Sequence, residues 1–491
     1  MAAAGTSRTD AIVVGSGPNG LAAAITLARA GVGVRVLEAA DTIGGGTRTS
    51  ELTLPGFRHD VCSAIHPLAV GSPFFRSLGL EEHGLEWIHP DVPLAHPLDD
   101  APPVLLDRSL AATADTLGVD GEAYRGLVGT LASEWDAIAE AILGPPGWPS
   151  SPLSVARFGL RAVRSAVGLA HSRFHGGRAR ALFAGLAGHS MLELDRAGSA
   201  GVGLVLALAG HAVGWPFPRG GSERIGAALA TRLERLGGEI ETGREVDSLD
   251  RVGHARAVLL DVTPRQLLRI AGRRLSAGYR RRLAAWRYGP GAYKVDWALA
   301  EPIPWRDPAC ARAGTVHLGG TLEEIAAAEG EVWRGRLPER PFVLLAQQSL
   351  FDPGRAPGGR HTAWAYAHVP HGSDVDATDH VERQVERFAP GFRDVVLERH
   401  TMSPVDLEAY NPNYVGGDIN GGVQDLVQSF ARPVAKLTPY DVPLEGVYLC
   451  SSSTPPGGGV HGMCGYRAAR VALERTFGVE SPEKEGRADR P

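Results

Sequence analysis

The chain has 491 residues, 44% of them hydrophobic, which is enough for two or three domains around sizeable cores. Lys and Arg number 50 against 55 Asp and Glu, and the resulting net charge of −5 excludes the global basic field of a nucleic-acid-binding protein. The four cysteines, Cys62, Cys310, Cys450 and Cys464, lack metal-ligand spacing, and a chain this long needs no disulfide framework, so reduced, buried thiols are expected.

The first ten residues carry no apolar signal-peptide core, which makes the cytoplasm the default compartment. Ala11 to Val14 reads as a buried parallel strand running into Gly15-Ser16-Gly17-Pro18-Asn19-Gly20, a G-x-G-x-x-G turn that opens a helix ending at Gly31. Such a turn binds phosphate. Gly15 permits the tight turn, Gly17 a close approach to a pyrophosphate, Gly20 close helix–strand packing, and the helix N-terminus supplies unpaired N–H groups. A second β-rich run, Val32 to Leu37, delivers Glu38 and then Ala39, with the acid placed to accept from a ribose 2′-OH and to disfavour a 2′-phosphate.

Gly44-Gly45-Gly46-Thr47-Arg48 is a second glycine turn with a cation behind it, which a nicotinamide-only domain does not need. It resembles the GG-x-R element of flavoproteins in the amine oxidase and phytoene desaturase superfamily. There the element lies along the pyrophosphate and flavin, so the resemblance implies FAD as cofactor. Residues 55–67 read as strand and loop crossing back over a cofactor, with His59, Asp60 and His66 as candidate site residues or as braces of a loop.

From about Asp107 to Trp215 the pattern is largely helical. Apolar residues recur at helical spacing over 120–143, Pro145-Pro146-Gly147 breaks the pattern, and 153–180 is amphipathic and rich in Arg. That Arg face is read as solvated, with peripheral attachment to an anionic membrane as the sharper alternative. The longest apolar stretch, 200–215, is interrupted by glycines and too short to span a bilayer.

At residues 216–222 the chain returns to α/β character: a helix over 222–236, then a strand over 239–246. This segment resembles the P-x-G-G, helix, G-G-x-I-x-T, V element of the same flavoproteins, in which the residue at the position of Val246 contacts the adenine. Residues 255–261 with Thr263-Pro264 resemble the strand and D-x-T-P exit from that domain. From 276 to about 400 strand and helix mix with many aromatics. In Tyr293-Lys294-Val295-Asp296-Trp297 the period of two puts Lys294 and Asp296 on one face, where a buried ammonium needs a partner. The run resembles the amine oxidase segment whose lysine holds a water beside flavin N5; an ordinary ion pair with Asp296 is the plainer reading.

Residues 410–422 interleave glycines with Asp418 and Asn420, which suggests backbone pressed against a ligand. In 444–466 a strand leads through Ser451-Ser452-Ser453 and Gly457-Gly458-Gly459-Val460-His461 to Met463 and a helix. This resembles the C-terminal FAD element of phytoene desaturase-like proteins, with serines where that family often has a glycine.

The best-matching group is the phytoene desaturase-like one that includes the pyridine nucleotide-disulfide oxidoreductase domain-containing proteins. It implies an α/β fold: a discontinuous, Rossmann-like FAD-binding domain of the glutathione reductase-like, GG-doublet type, with an inserted α+β substrate domain and a helical insertion. The expected segments are 1–100, 216–265 and 410–480 for the FAD domain, 101–215 for the helical insertion, 266–409 for the substrate domain and 481–491 for a disordered tail. Cofactor contacts are expected from Gly15, Gly17, Pro18, Asn19, Gly20, Glu38, Ala39, Gly45, Gly46, Thr47, Arg48, Val246, Ser452, Gly458, Gly459, Val460, His461 and Met463. Catalytic candidates are Lys294, His66, Asp418 and His461.

The implied chemistry is hydride transfer from a C–H bond of an apolar, polyene- or terpenoid-like molecule to flavin N5. No second G-x-G-x-x-G is present, so oxygen or a quinone is the expected electron acceptor. Amine oxidation is the alternative reaction, and a weakly catalytic, flavin-bound interaction protein the alternative of another kind.

Overall fold

In a computed structural model, residues 9–144 and 148–479 are described; the Pro145-Pro146-Gly147 break, the first eight residues and the expected tail lie outside them. Two sheets organise the molecule. The first has five parallel strands in the order Val447–Leu449, Ala257–Leu260, Ala11–Val14, Val34–Leu37 and Glu239–Glu241. Its middle strands are buried on both faces, which explains their nearly unbroken apolar sequence.

Helix Pro18–Arg29 follows the first strand, with proline in the first turn where the missing N–H costs nothing. Against it packs helix Met463–Ala472, from the other end of the chain. The helices approach so closely that a Cβ on Gly465 would lie 1.8 Å from the Asn19 carbonyl oxygen. Glycine is therefore required there.

The second sheet has seven strands in the order Val396–Met402, Gly291–Leu299, His361–Val369, Val343–Ala346, Ala313–Leu318, Val92–His96 and Val104–Leu106. All neighbours are antiparallel except Ala313–Leu318 and Val92–His96. One face carries Val295, Trp297, Val316, Leu345 and Ala365 into a core shared with helix Thr378–Phe388. The other face carries Lys294, Thr315, His317, Leu344, Trp364, Tyr366 and His368, as the two-residue period of a strand dictates. Strand Val92–His96 falls within the segment assigned by sequence to the dinucleotide domain, yet it pairs in this second sheet. The chain thus leaves the first domain before residue 92.

Helices from the insertion roof the polar face. Gly177–Gly188 and Ser199–Ala212 pack on each other through Gly203, whose Cβ would meet Ala187 at 3.1 Å. The apolar 200–215 stretch is thus core, and among the described residues no helix is long and apolar enough to cross a membrane. Two expected elements are shorter than the sequence pattern. The 153–180 segment divides into Pro152–Ala162, Ala166–Arg173 and Gly177–Gly188; Ser165 breaks the first boundary by capping the next helix through the Gly168 N–H at 3.1 Å. The 239–246 strand stops at Glu241, because Gly243 turns the backbone at φ +66° and the Arg244 N–H donates to the Glu38 carbonyl at 2.7 Å.

Candidate functional site

One cavity of about 670 Å³ runs between the two sheets. At one end are the turn residues Gly15, Gly17, Pro18 and Asn19; at the other is a chamber walled by His189, Leu206, Trp215, Leu344, Trp364 and Tyr366, and Lys294 lines the same space.

The glycine turn is shaped by contact. Gly15 sits at φ +102°, and a Cβ on Gly20 would lie 2.0 Å from the Gly15 carbonyl oxygen. The second turn presses on the first, since a Cβ on Gly45 would come within 3.0 Å of Gly17 Cα. Asp261, at the end of strand Ala257–Leu260, reaches into the three glycines, and its Oδ2 accepts from the Gly20 N–H at 2.9 Å. Burial raises the Asp261 carboxyl to about 7. Pro18 has no N–H and Gly20 has donated its own, so Gly17 and Asn19 are the first-turn donors left for a ligand.

Glu38 ends its strand at the cavity wall. One carboxylate oxygen accepts from Ser16 N (2.9 Å) and Ser16 Oγ (2.6 Å), the other from Ala40 N (2.9 Å) and Arg48 Nη2 (3.1 Å). Those four donors use the carboxylate's accepting capacity. Two of them, the Ser16 hydroxyl and the Arg48 guanidinium, are side chains whose place a ribose diol can take. Arg48 also donates to the Thr42 carbonyl at 2.8 Å and lies 5.6 Å from the Tyr410 ring centroid.

This end fits a dinucleotide. Its glycines form a cradle that side chains would fill, the buried Asn19 Oδ1 has no protein partner, and the donor and acceptor set matches phosphate and ribose. Of the expected cofactor residues, Gly15, Gly17, Pro18, Asn19, Glu38, Ala39, Gly45, Gly46, Thr47, Arg48, Val246, Ser452, Gly459 and Val460 line the cavity. Gly20, Gly458, His461 and Met463 do not. Gly20 is consumed by packing and Asp261; Gly458 backs onto Asn420, 3.0 Å from where its Cβ would be; His461 Nδ1 accepts from the Met463 N–H at 3.0 Å, ordering the start of the last helix.

The catalytic candidates divide likewise. Lys294 lines the cavity, ion-paired with Asp296 and 5.9 Å from the Trp364 ring centroid, so its pairing and its place in the wall are both real. His66 lines the cavity too, with Nε2 2.8 Å from Ser222 Oγ, and burial pushes it down to about 4. Asp418 is away from the cavity: it is buried and accepts from the Gly289 N–H (2.8 Å) and the Asn420 N–H (2.7 Å), fixing the glycine-rich loop from behind. Of the other two candidates near His66, Asp60 is a structural hub. It accepts from Arg355 (2.7 Å), Ser222 N (2.7 Å) and Thr49 Oγ1 (2.8 Å), and so ties the two domains together. His59 is a brace, 2.8 Å from Thr53 Oγ1 and 3.6 Å from Asp296.

His189, Thr315 and the paired rings of Trp364 and Tyr366, 5.3 Å apart, line the chamber without having been singled out from sequence as site residues. Alternation along 361–369 held the signal for the two aromatics. Nothing local marks His189, which follows a helix end.

The family model for an NAD(P)-binding Rossmann-like domain matches residues 13–77. Pyridine nucleotide-disulfide oxidoreductase domain-containing protein 2 of Rattus norvegicus is 28% identical, over 94% of this chain and 93% of that protein. A limonene dehydrogenase polypeptide of Castellaniella defragrans is 24% identical (95% and 94%), and the neurosporene-forming phytoene desaturase of Rhodobacter capsulatus 26% (93% and 92%). Among solved structures, an oxidoreductase from Methanosarcina mazei superposes with a TM-score of 0.64 at 17% identity, covering 94% of this chain and 99% of its own. Cyclohexylamine oxidase from Brevibacterium oxydans does so with a TM-score of 0.60 at 17% identity, covering 95% and 99%. Those two share the fold. By sequence, the chain is a relative, over nearly its whole length, of pyridine nucleotide-disulfide oxidoreductase domain-containing protein 2 and of the neurosporene-forming phytoene desaturase, a member of the family its motifs resemble.

Proposed function

We propose that the protein is an FAD-dependent oxidoreductase that takes a hydride from a C–H bond of an apolar, polyene- or terpenoid-like molecule. The observation that carries this reading is the single cavity that joins a dinucleotide cradle to an aromatic and aliphatic chamber. FAD bound along the cradle supplies an acceptor for two electrons and a hydrogen.

The chain's own residues do the rest. Gly17 and Asn19 offer backbone N–H groups to the phosphates, and Glu38 takes the ribose in place of Ser16 Oγ and Arg48. Trp364, Tyr366, Trp215, Leu206 and Leu344 remove water from an apolar substrate and orient it by shape, which fixes the reacting C–H bond without a polar handle. Lys294, ion-paired with Asp296, lies in the cavity wall. The relatives named for limonene and for phytoene support the substrate class. Oxygen or a quinone serves as the final acceptor.

Amine oxidation is the second reading, favoured by Lys294 in a fold shared with cyclohexylamine oxidase. The test is the visible spectrum of the purified protein, recorded anaerobically while phytoene, limonene, cyclohexylamine and NADPH are added in turn. Bleaching of the flavin bands by either hydrocarbon is the expected result, and re-admitted air tests oxygen. Bleaching by the amine alone moves the assignment to the second reading. A protein that binds no flavin, or whose flavin nothing reduces, overturns both.

A further inference from the structure

The helical insertion that roofs the chamber carries charge of one sign. Between Glu140 and Glu193 there is no acidic residue, and six arginines fall there, Arg157, Arg161, Arg164, Arg173, Arg178 and Arg180, in a chain whose net charge is −5. Among the described residues none of the six is in an ion pair. Arg161, Arg164, Arg178 and Arg180 donate to backbone carbonyls, those of Leu127, Gly168, Thr116 and Phe174 among them, which leaves their charge uncompensated. Arg157 and Arg173 are exposed, and both repel the Arg161 guanidinium, so the three share one stretch of surface. At the edge of that stretch, Glu134 accepts from the Ser151 hydroxyl at 2.6 Å and Glu140 from the Ser150 hydroxyl at 2.8 Å.

Apolar side chains stand out among these charges. On helix Pro152–Ala162, Ser154 and Phe158 are buried, while Leu153, Arg157 and Leu160, at helical spacing, share the outer face. Leu153 is 61% exposed and Leu160 75%, and Trp148, just ahead of the helix, is 81% exposed. Past the helix end, the carbonyls of Val163 and Arg164 accept from the Gly198 N–H, both at 3.0 Å, and a Cβ on Gly198 would lie 2.9 Å from Leu426 Cδ2. Segment Leu426–Phe430 therefore adjoins the end of that helix, and it adds two exposed side chains, Val427 and Phe430. Single exposed apolar residues are ordinary, but a group of them beside unpaired arginines marks a surface that meets something.

We propose that this face docks on the surface of an anionic phospholipid bilayer. The leucines and Trp148 enter the boundary between headgroups and acyl chains, and the arginines meet the lipid phosphates. Charge complementarity selects this occupant. A second copy of the chain would set the same unpaired arginines against one another, and a nucleic acid would leave the leucines in water. The face also lies close to the chamber. Phe158, on the inner side of helix Pro152–Ala162, shares a core with Leu204 and Leu206 of helix Ser199–Ala212, and Leu206 lines the cavity. One layer of helix thus separates the docking face from the place where an apolar molecule would be held. Collection of the substrate from the bilayer rests on the oxidoreductase reading; the docking itself does not.

The test is flotation of the FAD-loaded protein with vesicles of phosphatidylcholine alone or with about a third phosphatidylglycerol, at about 0.1 M salt. Binding to the anionic vesicles is expected, and it should weaken as added salt screens the charges. Arg157→Gln combined with Arg173→Gln is expected to lower it about 30-fold, and Leu153→Ser combined with Leu160→Ser about tenfold or more. These positions are on the surface, so the flavin spectrum and urea midpoint of both pairs should match the wild type. A wild type that stays free of anionic vesicles overturns the proposal, and so does binding that neither pair changes. Quenching of Trp148 fluorescence by brominated acyl chains, scored against Trp148→Phe, is read on the wild-type surface, and its absence also overturns the proposal. A dimer, seen by light scattering, that the leucine pair breaks apart gives the face to a second copy and overturns it too. Vesicle binding with a flavin that neither limonene nor phytoene in the bilayer reduces supports the docking and overturns only its use in collecting substrate.

Discussion

The two ends of the cavity are built by different means. At the dinucleotide end, backbone does the work: glycines whose missing side chains admit a ligand, N–H groups at a helix start, and one carboxylate at a strand end. At the chamber end, side chains do it: rings and aliphatic groups raised by the alternation of three strands, with histidines beneath them. Backbone sites are written in short motifs, because neighbouring residues make them. Side-chain sites are assembled from strands and helices far apart in sequence, and they can be remodelled one position at a time without disturbing the cofactor.

The predictions separate the two ends. Acid should strike the chamber and the domain junction first. His59, His66 and His96 are held near 4 by burial, whereas an unfolded chain protonates them at 6.5. The unfolded state therefore gains protons that the native state refuses, and stability falls as pH drops from 6.5 to 4, by on the order of 3 kcal/mol per histidine at the lower limit. Urea midpoints across that range check this, and a flat profile means that the rings are accessible.

Next in size is the tie between the domains. Arg355→Met leaves the buried Asp60 without its ionic partner and should cost about 3–5 kcal/mol, seen as a lower urea midpoint for both domains together. Loss in one domain only would show that the ends unfold separately.

Glu38→Ala should weaken FAD binding by about 1.5–3 kcal/mol, on the scale of hydrogen bonds to a charged group, while leaving probe binding in the chamber alone. Titration of the apoprotein with FAD, followed by flavin fluorescence, measures it.

The smallest effect is at Asp261. With its carboxyl near 7, it is neutral below that pH and carries a charge beside the phosphates above it, facing Glu38 as well. FAD affinity should therefore fall above pH 7 by up to about tenfold per unit, and Asp261→Asn should flatten the trend. A pH-independent wild type contradicts this.

The contrast between backbone and side-chain sites also explains what was legible beforehand. The strand, turn, helix and acid from Ala11 to Glu38 stand in the structure as read, because each is a local property of sequence. Lys294 and Asp296 could be put on one face for the same reason. His461 and Asp418 misled: both sit in glycine-rich loops that approach the cavity, but a loop presents only some of its residues, and these two turn back to bind neighbouring N–H groups. His189 and His317 were invisible because they are 128 residues apart and meet only when a helix end lands on a strand. Gly185, whose Cβ would meet His317 and His96, looks like any glycine in a helix until its neighbours are known.

The close seating of Gly465 on Asn19 has a consequence for synthesis. Helix Pro18–Arg29 leaves the ribosome more than four hundred residues ahead of its packing partner, and the outer strand of its own sheet, Val447–Leu449, is made almost as late. Until then the side of that helix that faces Met463–Ala472 has no native cover, while the side that packs on its own strands and on helix Glu223–Arg235 is already met. A product truncated before residue 463 lacks the helix that seats on Asn19 and leaves that face of the glycine-turn helix bare.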